Sequence, residues 1–163
     1  MKNFKIILIS LLFASSGISA YGQTTISGLD VIRTVYPTAD KVEKLNDVWF
    51  GIMDKDGTQI GYALSSKPFT TEVKGYRGTT PVIVVMDMKK NIVKVGMLTH
   101  NETPSYVQIL ERYGFFEAWE SVAVKDAKNT RPFPDTYTGA TMTGKSLIRN
   151  VQTVVEKALA NPL

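Results

Sequence analysis

Four apolar runs fill the middle of the chain, and short polar turns join the first two and the last two. The runs are Val48–Met53, Gln59–Ser65, Pro81–Met88 and Ile92–Leu98. The first turn, Asp54–Gly57, ends in Asp-Gly, which is a strong hairpin signal, and Lys89–Asn91 forms the second. No helix-length segment separates the strands of either pair, so the spacing of β-α-β units is missing. The pattern predicts antiparallel strands and argues against a doubly wound parallel sheet.

Helical patterns flank these strands. Ser27–Val35 can form a short helix, and Ser105–Trp119 also has a helical pattern. The last helix has the strongest signal, because apolar residues recur at helical spacing from Leu147 to Leu159. Thr143 is its predicted N-cap, and Asn161-Pro162 ends it. We therefore expect an α+β domain with an antiparallel sheet of four to six strands and flanking helices.

Three shorter segments give weaker signals. Val42–Leu45 is too short to assign, Val122–Val124 has the composition of one more short strand, and residues 125–134 are polar with two prolines, as in a loop.

The N-terminal residues have the pattern of an export signal. A basic start, Met1–Lys5, precedes the largely apolar Ile6–Ala14, and small residues dominate from Ser15 to Gly22. The apolar stretch is far shorter than the roughly 20 residues that a membrane span needs. Cleavage after Gly22 fits the small-residue rule better than cleavage after Ala20. We expect a signal peptide at 1–22 and a single domain at 23–163, with an uncleaved anchor or a buried first helix as the alternatives.

Composition removes several classes of function. The chain has no cysteine, which excludes disulfides, thiolate metal sites and iron–sulfur clusters. Without the expected signal peptide, the chain has 17 Lys and Arg and 15 Asp and Glu, a nearly balanced charge. The sequence therefore gives no basic patch that would indicate a nucleic-acid partner. His100 is the only histidine and has no second ligand at metal spacing.

The loop before the last helix carries the most chemical information. Residues 135–146 supply hydroxyl groups and small residues next to a helix N-terminus. Free N–H groups and the helix dipole attract an anion there, and Gly139 and Ala140 allow a phosphate close to the backbone.

The same residues match a nucleotide-binding pattern. Gly139–Ser146 satisfies G-x-x-x-x-G-K-[ST] in full. That pattern has meaning only after a buried strand and within a parallel sheet. The upstream residues, 129–135, are polar and contain prolines, and only 147–163 follow. We therefore regard an ATPase as a remote alternative.

A different family accounts for this loop better. Asp135, Thr138, Gly139, Ala140 and Thr141 stand in the order D-x-x-T-G-A-T, which resembles the flavinylation motif of the FMN-binding domain family. That family includes the C subunit of the sodium-pumping NADH:quinone reductase and the G subunit of the Rnf complex.

Three further segments are similar to that family, in the same order and spacing. They are Asp56–Ala63, Lys74–Gly78 and His100–Pro104. One departure follows them, because the family usually has Gly-Leu-Gly where this chain has Ser105-Tyr106-Val107. The resemblance covers about residues 48 to 155.

The resemblance implies a cofactor and a maturation enzyme. In the family the last Ser or Thr of the motif forms a phosphoester with FMN, which a flavin transferase attaches from FAD with magnesium. The acceptor here is then Thr141. The other implied FMN-site residues are Asp135, Thr138, Gly139, Ala140, Tyr76, Glu102 and Thr103. Thr143, Gly144 and Lys145 are added to the predicted site because the N-terminus of the last helix can stabilise the phosphate.

Several of these residues have ordinary structural alternatives. His100 is either a hydrogen-bonded structural residue or a proton donor to the flavin. Glu102 either bonds to the flavin ring or caps the helix that starts near Pro104. Tyr76 and Trp119 either pack or stack on the ring, and Tyr106 is a further stacking candidate.

The sequence favours an exported electron carrier, periplasmic or membrane-associated on the extracytoplasmic side. Its partners are expected to be membrane or exported redox proteins, because no second cofactor motif completes a stand-alone enzyme. One alternative is an exported relative that has lost flavinylation and binds a ligand or partner. The other is a small flavin-dependent reductase.

Overall fold

The computed structural model describes residues 25–132 and 140–163. Within these ranges a single five-stranded antiparallel sheet runs in the order β1-β2-β3-β4-β5. The strands are β1 Ala39–Lys44, β2 Trp49–Asp54, β3 Gln59–Ser65, β4 Val82–Met86 and β5 Ile92–Met97. The predicted α+β class with a sheet of four to six antiparallel strands is confirmed. A parallel nucleotide-binding sheet is absent from the described residues, so the P-loop match has no structural support.

Strand β1 is the one that the sequence pattern did not reveal. Only Ala39 is buried, and the other five residues of the strand are exposed. An exposed edge strand has no alternation of buried and exposed residues, and charged side chains are typical of such edges. Its pairing with β2, in which Val42 lies opposite Ile52, defines it.

Helices cover both faces of the sheet. The helix α1, Gly28–Arg33, packs on one face, where Ile32 and Ile83 are buried. The long helix α3, Thr141–Ala160, lies on the other face with Leu147 and Val151 in the core. All five residues of β4 are buried because both faces of this strand are covered.

The segment predicted as one helix over 105–119 is divided. Helix α2 spans Pro104–Arg112, and a 3₁₀ turn follows at Phe116–Trp119. The break lies at Gly114, whose φ of 70° is accessible to glycine at little cost. A second 3₁₀ turn, Ala127–Asn129, lies in the segment predicted to be a loop. Val122–Val124 is not a strand, although its central residue forms a bridge with Asn91.

Helix α3 begins three residues earlier than predicted. Its N-cap is Ala140, so the prediction of Thr143 as N-cap is wrong, and the helix ends before Asn161 as expected. Over the described ranges, no helix has both the length and the apolar character needed to cross a bilayer. The expected signal peptide, 1–22, lies outside the described residues.

Candidate functional site

The carboxylate of Glu102 joins three separate segments of the chain. It accepts the backbone N–H of Tyr76 at 3.1 Å and that of Arg77 at 2.7 Å. It also accepts the hydroxyl of Thr143, in the first turn of α3. Glu102 is completely buried. A buried carboxylate requires such donors, and these three compensate for its lost hydration.

Gly75 allows the loop Lys74–Gly78 to approach the carboxylate of Glu102. A Cβ at residue 75 would lie 2.9 Å from Oε1 of Glu102 and 2.9 Å from Cγ2 of Thr80. The loop closes with a hydrogen bond from Gly75 N–H to the carbonyl of Gly78, at 2.8 Å. Glycine is therefore required here for space.

His100 forms a hydrogen bond with the backbone of Glu102. Its Nδ1 accepts the backbone N–H of Glu102 at 3.1 Å, and the side chain is 5% exposed. Burial lowers the pKa of His100, and the negative charge of Glu102 partly offsets this. The imidazole is therefore neutral near pH 7. Its bond to the Glu102 N–H is the contact expected of a hydrogen-bonded structural residue, the first of the two roles considered for His100.

A chain of buried hydrogen bonds leads from this site along α3. Ser146 donates its hydroxyl to the carbonyl of Thr143 at 2.8 Å, and its Oγ lies 2.7 Å from Oγ1 of Thr80. Since Ser146 has one hydroxyl hydrogen, Thr80 is the donor in the second bond. Asn150 in turn donates to Thr80 at 3.2 Å and to the carbonyl of Ser146 at 2.9 Å.

Asn150 is the end of this chain and its most connected member. Its side-chain carbonyl accepts from the hydroxyls of Ser66, at 2.7 Å, and Thr70, at 2.5 Å. Ser66, Thr70, Thr80, Ser146 and Asn150 are all buried. This network was not predicted from the sequence. The available signal was polar residues at 143, 146 and 150, which share one face of a helix.

The proposed acceptor residue lies at the start of α3. Thr141 is the first helical residue and is half-buried. Ala140, the N-cap, is buried and has no polar side-chain atom that could cap this terminus. The first N–H groups of the helix and its dipole therefore favour an anion there. Gly144 is buried and donates to the Ala140 carbonyl at 2.8 Å, while Lys145 is exposed. Asp135, Thr138 and Gly139 lie outside the described residues.

Tyr76 and Tyr106 form a ring pair, and the backbone of Tyr76 is held by Glu102. Tyr76 is 56% exposed, and its ring centroid lies 5.3 Å from that of Tyr106, with an interplanar angle of 70°. Thr103 is the N-cap of α2 but makes no side-chain capping bond. Glu102 does not cap α2 either, because its carboxylate accepts from the Tyr76–Arg77 backbone and Thr143. The capping alternative for Glu102 is therefore wrong.

The structure thus brings together most of the predicted residues that it describes. Tyr76, Glu102 and Thr143 meet through hydrogen bonds, and Thr141 lies in the same first turn of α3 as Thr143. Among the described side chains, no group of three or more His, Cys, Asp or Glu residues is placed to hold a metal ion.

Comparison with known proteins gives two results. Residues 75–156, just over half of the chain, match the family model described as the FMN-binding domain. The chain is also 27% identical, over 158 residues, to the G subunit of the proton-translocating ferredoxin:NAD(+) oxidoreductase complex of Clostridium ljungdahlii. That alignment covers 93% of this chain and 82% of the relative. No solved structure gave a significant match.

Proposed function

This chain belongs to the FMN-binding domain family, and from that membership we propose that it is an exported electron carrier with FMN joined through its phosphate to Thr141. The position of Thr141 carries the proposal. It is the first residue of α3, within the part of the chain that matches the family. Its hydroxyl belongs to the residue at the anion-favouring end of a 20-residue helix.

The start of α3 has the character that a phosphodiester needs. A phosphate joined to both Thr141 and the ribityl chain keeps one negative charge, and the N–H groups of the first turn stabilise such a charge. The buried Ala140 has no polar side chain to compete for these donors. Lys145, one turn further along and exposed, supplies a positive charge near the same end.

The surface formed by Tyr76 and Tyr106 is our candidate for the side of the flavin ring. Tyr76 is exposed and Tyr106 is half-buried, and such an aromatic pair offers the area and polarisability that favour contact with a planar ring system. Thr103 contributes a hydroxyl near the start of α2. Glu102 acts on this surface indirectly, because its carboxylate holds the Tyr76–Arg77 backbone in place.

FMN supplies one- and two-electron redox chemistry, and the protein supplies position and environment. The Clostridium ljungdahlii relative is named as part of an oxidoreductase complex, which supports electron exchange with partner proteins. We propose membrane or exported redox proteins as those partners. A stand-alone reductase would instead turn over one soluble donor and one acceptor without partners.

Export gives the covalent link a physical reason. Residues 1–22 have the pattern of a signal peptide. A noncovalent cofactor occupies its site according to its free concentration, which is low outside the cytoplasm, whereas a phosphoester keeps the site filled. An unactivated threonine hydroxyl is a poor nucleophile. Attachment therefore requires a flavin transferase.

Intact-mass measurement of the protein, produced with and without a flavin transferase, tests the proposal. We expect an added FMN mass only with the transferase, lost in Thr141→Ala and retained in Thr153→Ala, a control on the same helix. Peptide mapping then locates the modified residue. The absence of an added mass would contradict covalent attachment, and an added mass that survives Thr141→Ala would contradict the acceptor assignment.

One observation favours a second candidate, a relative without flavin that binds a ligand or partner. Ser105 and Val107 occupy positions where the family usually has glycine, and Tyr106 between them packs against Tyr76 at the proposed ring surface. The absorption spectrum of protein isolated from its own host separates the two candidates. A flavin spectrum supports the carrier, and its absence supports the binding protein.

A further inference from the structure

A cleft of about 400 Å³ lies beside β5, and none of its lining residues belongs to the proposed FMN site. Its walls come from the N-terminal segment and α1, β5, α2 and the 3₁₀ turn at Phe116–Trp119. They are largely apolar and include Ile26, Val31, Val95, Met97, Val107 and Phe116. The volume lies within the range of small-molecule sites. Neither Thr141 nor Glu102 nor Tyr76 lines it.

One buried polar side chain, His100, lines this cleft. Its Nδ1 is occupied, because it accepts the backbone N–H of Glu102. Within the described ranges no residue forms a hydrogen bond with the other ring nitrogen, Nε2. When Nδ1 of a neutral imidazole is an acceptor, the proton lies on Nε2. His100 therefore offers the cleft an N–H donor that is open to an acceptor on a bound molecule.

The charged groups around the cleft restrict the kind of acceptor. Lys94 of β5 lines it, together with Glu111 of α2 and Glu117 of the 3₁₀ turn, so the lining carries more negative than positive charge. His100 itself stays neutral near pH 7 because burial lowers its pKa. The two carboxylates disfavour an anionic ligand, and a cation without an acceptor atom would make no use of the imidazole N–H.

We propose that this cleft is a second binding site, for a neutral and largely apolar molecule that presents a carbonyl oxygen to Nε2 of His100. The apolar walls remove the body of the ligand from water, and the single donor orients its oxygen. This proposal does not depend on FMN attachment, because Thr141 and the proposed ring surface lie outside the cleft.

Three matched probes test the chemistry: α-tetralone, its parent hydrocarbon tetralin, and a tetralin that carries a carboxylate group in place of the ketone. Calorimetry gives their affinities, and the NMR signals of His100, the only histidine in the chain, report contact with the ring. We expect α-tetralone to bind about fivefold more tightly than tetralin, as one net hydrogen bond allows. The carboxylate should bind more weakly than the ketone.

Two variants separate the roles of the two ring nitrogens. His100→Asn keeps an acceptor near Nδ1 but does not reach the position of Nε2, so it should remove the preference for the ketone. His100→Gln places an amide N–H near Nε2 and should retain that preference. Val107→Phe keeps the histidine and fills the cleft, and it should weaken all three probes.

The Thr141→Ala variant makes the test independent of flavin. It should bind α-tetralone with the affinity of the parent protein, whether or not the parent carries FMN. Equal binding of tetralin and α-tetralone by the parent protein would overturn the proposal. Unchanged ketone binding in Val107→Phe, or no change in the His100 signals, would overturn it as well.

Discussion

The hydroxyl of Thr143 donates to the carboxylate of Glu102, which joins the first turn of α3 to the segment after β5. Both side chains are completely buried. The same carboxylate holds the N–H groups of Tyr76 and Arg77. The helix start that carries Thr141 and the loop that carries Tyr76 are therefore fixed relative to each other through one acidic side chain.

Thr143→Val should destabilise the protein by about 1–2 kcal/mol, because a buried carboxylate loses one of its three donors while the shape of the side chain is conserved. Thr143→Ser, which keeps the hydroxyl, should lose less. Urea unfolding measures both, with Thr153→Val on the same helix as the control. If Thr143→Val and Thr153→Val have the same free energy of unfolding, the hydrogen bond to Glu102 makes no net contribution to stability.

Gly75→Ala should cost about 1–3 kcal/mol through overpacking, since the new methyl group would lie 2.9 Å from both Glu102 and Thr80. Thr79→Ala, at an exposed position of the same loop, serves as the control. Thermal unfolding compares the two variants. A Gly75→Ala protein as stable as Thr79→Ala would mean that the loop moves away without penalty.

Asn150→Leu should be among the most damaging single changes in α3, at roughly 2–4 kcal/mol. It removes the side-chain carbonyl that accepts from the hydroxyls of Ser66 and Thr70, and the amide that donates to Thr80. Thr70 keeps a second acceptor in the Ser66 carbonyl, so the main penalty comes from the Ser66 hydroxyl. Arg149→Leu, at the exposed neighbouring position, is the matched control in chemical denaturation. Similar unfolding midpoints for the two variants would contradict a central role for Asn150.

His100 predicts a pH dependence with a definite sign. Burial lowers its pKa below the ordinary value of about 6.5, so the unfolded chain binds a proton before the folded protein does. Its contribution to stability is complete above that value and is lost as the pH falls towards the folded pKa. The slope cannot exceed about 1.4 kcal/mol per pH unit for one proton.

His100→Asn isolates this effect, because it keeps an acceptor for the Glu102 N–H and cannot titrate. Between about pH 7.5 and pH 5.5 the parent protein should lose more unfolding free energy than His100→Asn does. NMR titration of the single imidazole gives the folded pKa directly. Parallel pH profiles of the two proteins, or a folded pKa above the ordinary value, would contradict the prediction.

Local patterns determined much of the fold. The hairpin turn at Asp54–Gly57 and the apolar runs beside it predicted β2 and β3 closely, because alternation and turn residues act over a few positions. The apolar spacing from Leu147 to Leu159 likewise predicted the body of α3. The helix predicted over 105–119 failed at Gly114, where a single glycine with positive φ divides it.

The sequence by itself determined the antiparallel sheet, the final helix and the segments that resemble the FMN-binding family, since each is encoded by residues close together in the chain. Only the tertiary structure decided that Thr143 serves Glu102 and not the helix N-cap, that Asn150 connects to Ser66 and Thr70, and that β1 is a strand. Each of these depends on partners that are distant in sequence or on pairing at an exposed edge. A buried polar group must pair with a partner that the tertiary structure supplies, because the free-energy penalty of leaving it unpaired exceeds the stabilisation that a local preference such as helix capping provides.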